Sequence, residues 1–148
     1  MLFRSHNIKI HRDFDPQLPC TGGDFHQLQQ VFLNIVNNAV DAIQENSLIQ
    51  GKGGKGEIWI RTAVAGNQLC IEITDNGPGV KNPHRVFDPF YTTKAVGKGT
   101  GLGLSICYGI VKEHGGEIHA SNVEPTGARV VLELPIYAAA KIPAIQNS

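Results

Sequence analysis

The sequence predicts an α/β (α+β) two-layer sandwich, in which helices cover one face of a mixed, mostly antiparallel sheet. Period-two alternation recurs along the chain, as in Ile58, Ile60, Thr62 and Val64 and again in Leu69, Ile71 and Ile73. Two other stretches, roughly 25–45 and the residues from about Leu102, space their apolar residues by three and four, as amphipathic helices do. Between the second of those strands and the second helix, Asp75 to Leu104 carries three glycine-bearing turns and reads as a flexible lid. A chain of 148 residues fits one domain with a proper core, here 1–148 with its ordered part at about 8–135.

Composition narrows the function classes. Thirteen basic and thirteen acidic residues cancel, so the broad positive field of a nucleic-acid binder is missing. Cys20, Cys70 and Cys107 are odd in number and lack a CxxC pair, which points to reduced thiols in a cytoplasmic setting, not a disulfide framework or zinc site. No apolar run reaches membrane-spanning length, so no membrane contact by this domain is expected.

In chain order, Ile8 and Ile10 alternate with Lys9 and His11 in a short edge-like strand that ends in the stretch Asp13 to Pro19. Gly22 and Gly23 turn the chain. Asp24 is then the expected N-cap, with Gln27 as its capping-box partner. The following helix puts Phe25, Leu28, Phe32, Ile35, Val36, Ala39 and Ile43 on one face and gathers Asn34, Asn38 and Asp41 on a stripe nearly opposite. Asparagine costs roughly half a kcal/mol against alanine inside a helix, so Asn34, Asn37 and Asn38 there need a reason. Amide oxygens suit a hard cation such as Mg²⁺, which binds a few protein oxygens and keeps other positions for water and phosphate. A solvated polar face is the plainer alternative.

Ser47 to Gly56 reads as a connecting loop. The strand Ile58 to Val64 turns at Gly66 and Asn67 into the strand ending at Asp75, with Trp59 on the opposite phase. Asp75 continues the apolar phase of Leu69, Ile71 and Ile73, and a carboxylate aimed at the buried side needs a donor. An adenine amino group is one candidate. Asn76, Gly77, Pro78 and Gly79 then form a turn that a planar base can approach closely. At the far end Gly97, Gly99, Gly101 and Gly103 alternate with Lys98, Thr100 and Leu102 and run into the second helix, presenting backbone N–H groups to an anion. Neither the Walker A spacing nor a dinucleotide fingerprint occurs. That helix, with Leu104, Cys107, Tyr108 and Val111 inward, is expected to end at Gly115 and Gly116, and His114 suits its dipole. Strands from Ile118 and through Val130, Leu132 and Leu134 complete the sheet. The tail after Pro135 has no clear periodicity.

Together NIVNNAVDA (Asn34 to Ala42), DNGPG (Asp75 to Gly79), FDPFYTTK (Phe87 to Lys94) and GKGTGLGL (Gly97 to Leu104) resemble the N, G1, F and G2 boxes of sensor histidine kinase catalytic domains, in that family's order. That family shares its ATP-binding fold with gyrase-type ATPases. The resemblance implies Mg²⁺-ATP as cofactor and transfer of the γ-phosphoryl group to a histidine. Asn38 would be the principal Mg²⁺ ligand with Asn34 beside it, and Asp75 would read adenine N6. Gly77 and Gly79 would shape the base pocket, while Gly99, Thr100, Gly101, Leu102 and Gly103 would hold phosphate. Lys94 would neutralise charge on the transferred group. Gyrase-type ATPases carry a glutamate where this chain has Asn34, and an amide cannot act as a general base at neutral pH.

The resemblance further implies a phosphoacceptor/dimerisation domain, joined to this one or acting in trans, a response regulator downstream and a homodimeric intact kinase, with this domain in the cytoplasm either way, in a soluble kinase or as the cytoplasmic part of a membrane-bound sensor. That acceptor domain is read as absent from this chain, because none of His6, His11, His26, His84, His114 and His119 is followed by an acidic residue. A gyrase-like ATPase and a non-catalytic ATP-binding module are the competing readings. The family often has Ser or Thr at the place of Ala128, and this departure would pass a hydrogen bond to water or to Thr126.

Overall fold

The computed structural model describes residues 2–3, 8–50, 55–89 and 103–136, with side chains from 8 onward and up to 45 in the first helix. Among the described residues six strands form one sheet: β1 (Leu2–Phe3), β2 (Ile8–Asp13), β3 (Gly56–Ala65), β4 (Gln68–Asp75), β5 (Glu117–Asn122) and β6 (Ala128–Pro135). Their spatial order is β1-β2-β3-β4-β6-β5. Only β2 and β3 run parallel; each remaining neighbouring pair is antiparallel. The predicted mixed, mostly antiparallel sheet is therefore observed. The Ile8 strand is not an edge, because the two residues of β1 pair outside it.

Period-two alternation sets the register. In β4 the buried residues Leu69, Ile71, Ile73 and Asp75 alternate with half-buried Cys70, Glu72 and Thr74. The β3–β4 hairpin closes at Ala65 and Gln68 around Gly66 and Asn67, as expected. On the opposite phase, Trp59 stacks on its register partner His11 at 5.3 Å between ring centroids.

Helix α1 (Phe25–Gln50) and helix α2 (Gly103–Glu113) pack on the sheet and on each other. The core joins Val31, Ile35, Ala39, Val40 and Ile43 of α1 to Cys107, Ile110 and Val111 of α2 and to the inward phase of the strands. Two of those expected inward residues point out instead: Phe25 is 72% exposed and Tyr108 41%. Val31 and Val40 take up the core role. Helix α1 also runs on to Gln50, and Gly56 already belongs to β3, so the loop between them is shorter than Ser47 to Gly56.

Both helix ends are tied. Gln27 N–H donates to Asp24 Oδ1 at 3.1 Å, the predicted N-cap. The reciprocal half of a capping box does not form, because Asp24 N–H donates to His114 Nε2 at 3.0 Å. His114 Nδ1 lies 2.8 Å from the Ile110 carbonyl, so the neutral ring protonated at Nδ1 satisfies both contacts. The imidazole is a strap from the end of α2 to the start of α1, and a Cβ on Gly23 would collide with it. Helix α2 ends as predicted: Gly116 N–H donates to Val111 O at 2.9 Å and Gly115 N–H to Lys112 O at 3.0 Å, with Gly115 at φ 76°. Replacing His114 with alanine removes two bonds bridging the helix ends, and chemical denaturation should report a loss of about 1–2 kcal/mol. An unchanged midpoint would show the strap to be idle.

Candidate functional site

The turn after β4 is braced from three sides. Asn76 Oδ1 accepts the Glu57 N–H at 2.9 Å and its Nδ2 donates to Lys55 O at 3.1 Å, tying the turn to the start of β3. Thr126 Oγ1 donates to Gly77 O at 2.7 Å. Asn122 brackets Val80, accepting its N–H and donating to its carbonyl, both at 2.8 Å. A Cβ on Gly79 would stand 2.8 Å from that Asn122 oxygen, so the turn approaches β5 with no room for a side chain.

Asp75 is the one charged side chain among the described residues that is classed as buried, at 7% exposure. Its Oδ1 accepts Gly77 N–H at 2.8 Å and, less closely, Ala128 N–H at 3.4 Å. Burial pushes the carboxyl up from its ordinary value, and those two backbone bonds pull it part of the way back. Both bonds fall on the same oxygen, which leaves Oδ2 for a donor. The contact opened by Ala128 goes to its own backbone N–H, while Thr126 serves the Gly77 carbonyl instead of the carboxylate.

Gly77 seats this turn against α1. It is buried, and a Cβ there would sit 3.3 Å from both the carbonyl carbon and Cβ of Ala42. Ala42 lies one helical turn beyond Asn38, which lies one turn beyond Asn34, so Asn34, Asn38 and Ala42 share a flank leading to Asp75. Asn34, Asn38 and Asp41 are all half-buried, whereas Leu33 and Asn37 are exposed. The asparagine stripe is thus a flank of the core, not the solvent face. Asn34 Nδ2 donates to Cys107 Sγ at 3.7 Å, and that thiol donates to Val31 O at 3.7 Å.

Two half-buried amides one turn apart carry hard oxygen donors, of the type that fits a Mg²⁺ ion shared with phosphate oxygens. Among the described residues no three His, Cys, Asp or Glu side chains gather as metal ligands. Gly103 opens α2 with nothing within 4 Å of a Cβ position, leaving its backbone unobstructed. Lys94, Gly99, Thr100, Gly101 and Leu102 lie outside the described residues, as does Phe90. Phe87, the first residue of the F box, packs on Tyr108 of α2 at 6.0 Å between centroids. Beside it, a groove of about 620 Å³ runs between Phe87, Tyr108, His84 and the β5 residues Ile118 and His119. Asn122, Thr126 and Gly127 were not among the residues singled out for the site, and each supports the Asp75 turn.

An antiparallel-rich sheet under two helices, with a buried aspartate facing an asparagine-bearing helix, is the architecture of one nucleotide-binding class. The chain belongs to the family "Histidine kinase-, DNA gyrase B-, and HSP90-like ATPase", which matches residues 23–138. Within it the likeness is to histidine kinases. The sensor histidine kinase ZraS of Escherichia coli O157:H7 is 38% identical over 138 residues, 92% of this chain and 28% of that protein. The catalytic domain of histidine kinase ThkA superposes with a TM-score of 0.74 at 32% identity, over 90% of this chain and 83% of that one. Full-length ShkA in complex with AMPPNP gives a TM-score of 0.74 at 27% identity, over 92% of this chain and 27% of that one. The chain spans less than a third of the length of the curated relatives it matches. Among the described residues no helix is long and apolar enough to cross a membrane.

Proposed function

We propose that this domain binds Mg²⁺-ATP and donates the γ-phosphoryl group to a histidine on a phosphoacceptor/dimerisation domain, as the catalytic module of a two-component kinase. The observation that supports the reading is the seating of Gly77 on Ala42, which brings the turn after the buried Asp75 against α1 one helical turn beyond Asn38. Asp75 Oδ2 accepts from adenine N6, and Gly77 and Gly79 keep the turn thin enough for the base to lie against it. Asn38 and Asn34 supply oxygens to Mg²⁺, which when bound neutralises phosphate charge. Gly99, Thr100, Gly101, Leu102 and Gly103 offer N–H groups to the phosphates, and Lys94 balances charge on the group in transit.

The amide at Asn34 favours this reading over a hydrolytic one. A carboxylate there could take a proton from water, and an amide cannot, so bound ATP is kept for another acceptor. The groove beside Phe87 and Tyr108 gives the acceptor domain a surface next to the F box. In the intact protein, a homodimer is the assembly in which acceptor and catalytic domains meet on the cytoplasmic side, and the phosphoryl group then passes to a response regulator.

Calorimetric titration with a non-hydrolysable ATP analogue, with and without Mg²⁺, tests the site directly. Asn38→Ala should abolish the Mg²⁺-dependent part of the affinity, a loss of about ten- to a hundredfold, while Mg²⁺-free binding stays. Affinity indifferent to Mg²⁺ in both proteins would remove Asn38 from the site. Supplied with a cognate acceptor domain, the wild-type chain should form acid-labile phosphohistidine; steady phosphate release without it would favour the gyrase-like alternative.

A further inference from the structure

We infer that Cys107 is a positioning residue for Asn34: its sulfur takes the amide NH₂ of Asn34 and thereby turns the amide oxygen away from α2, toward the cleft. The inference rests on the reading of Asn34 as a Mg²⁺ ligand and adds a residue on a different helix to that reading.

The argument is one of donors and acceptors. An asparagine amide is nearly symmetric in shape, so a free Asn34 would present either NH₂ or oxygen to a cation, and only the oxygen binds one. Cys107 is fully buried, and its sulfur sits 3.7 Å from both Val31 O and Asn34 Nδ2. The Val31 carbonyl accepts only, so the single S–H is spent there. The sulfur then meets Asn34 with lone pairs alone, and the side of the amide that matches lone pairs is NH₂. Because the two nitrogen and oxygen atoms diverge from one carbon, committing nitrogen to α2 commits oxygen to the opposite side. Groups that orient a metal ligand from behind typically carry about ten- to a hundredfold of metal affinity. Helix α2 therefore has two tasks: its first turn faces the phosphates and its second sets the ligand on α1.

Three variants separate orientation from packing. Cys107→Ser keeps one donor and an acceptor, Cys107→Ala deletes both, and Cys107→Val fills the space without either. The ratio of affinities for the non-hydrolysable ATP analogue with and without Mg²⁺ should fall about tenfold in C107A and C107V, and C107S should restore most of it. In nucleotide-free protein, the Asn34 side-chain N–H pair, assigned by its absence in N34A, should lose the shift of its bonded proton in C107A. Should C107A not fold, C107V carries the same comparison. A wild-type ratio in C107A or C107V overturns the inference, as does C107S falling as far as they do, or an equal loss with and without Mg²⁺. If N34A loses the ratio while C107A and C107V keep it, only this inference fails. If the wild-type chain binds no nucleotide, the parent reading fails with it.

Discussion

Asp75→Asn should remove adenine recognition while leaving the nucleotide-free domain at least as stable as the wild type. The carboxylate is buried with both described bonds on Oδ1. An asparagine in the same place keeps an oxygen for Gly77 and Ala128 and puts NH₂ where Oδ2 had faced the adenine amino group. Donor then meets donor. A hydrogen bond to a charged group is worth about 1.5–3 kcal/mol, so ATP affinity should fall by roughly ten- to 150-fold. Guanine carries an oxygen at the equivalent ring position, so GTP should lose far less and the ATP-to-GTP preference should shrink or invert. Equal binding of ATP and GTP by the wild type would refute the assignment before any mutation is made.

The stability half follows from the sign of the carboxyl's shift. Its folded pKa lies above the ordinary value of 3.8, mainly because burial disfavours the charge. Between the unfolded and folded values the native state holds the proton more tightly, so stability falls as pH rises through that window. Above the folded value the whole cost of the buried charge is in force; well below 3.8 none of it is. Asp75→Asn has no such window, so denaturation at a series of pH values should show its advantage over wild type opening as pH rises and then levelling. An advantage that is constant with pH would mean that the carboxylate is not strained by burial.

The parts of this protein visible in its sequence are those set by neighbours in the chain. Period two located β3, β4 and β6, placed Asp75 inward and left Trp59 outward, because strand geometry alternates whatever lies beside it. Asp24 was readable as an N-cap since its partner is three residues away. The missed features have partners far off. His114 displaces Gln27 from the Asp24 N–H across 90 residues, and Asn122 reaches Val80 across 42. Neither has a local signature. Phe25 was in phase with the core yet is exposed, edge-on to His26 at 5.7 Å, because periodicity finds the inward face of a helix but not where its cover ends. The asparagine stripe was placed nearly opposite the apolar face from helical angles alone. Packing of α2 and the Asp75 turn against that flank leaves it half-buried, which helical angles alone do not show.

The largest stability loss should come from Gly127→Ala, at a position given no nucleotide contact but packed directly behind Asp75. Gly127 is buried in the turn between β5 and β6 at φ 124°, where a side chain is strained in any surroundings. A Cβ there would also run into the Asp75 carbonyl oxygen, with the Asp75 carbonyl carbon at 3.0 Å and Asn76 Cα at 3.3 Å behind it. The obstruction is backbone on both sides, so no rotamer change relieves it. Strain of about 1–3 kcal/mol and overpacking of about 1–3 more give a loss of roughly 2–6 kcal/mol, a large share of a domain's total. Nucleotide affinity should fall as well, because lifting this turn carries Thr126 off the Gly77 carbonyl and Ala128 off the Asp75 carboxylate. Gly66→Ala separates the two causes. Gly66 is also left-handed, at φ 64°, but nothing lies within 4 Å of its Cβ position, so that variant should lose only about 1–2 kcal/mol and bind nucleotide normally. If urea denaturation gives the two variants the same loss, close approach is not what position 127 requires. A G127A protein that kept full affinity would show that the β5–β6 turn does not hold Asp75 in place.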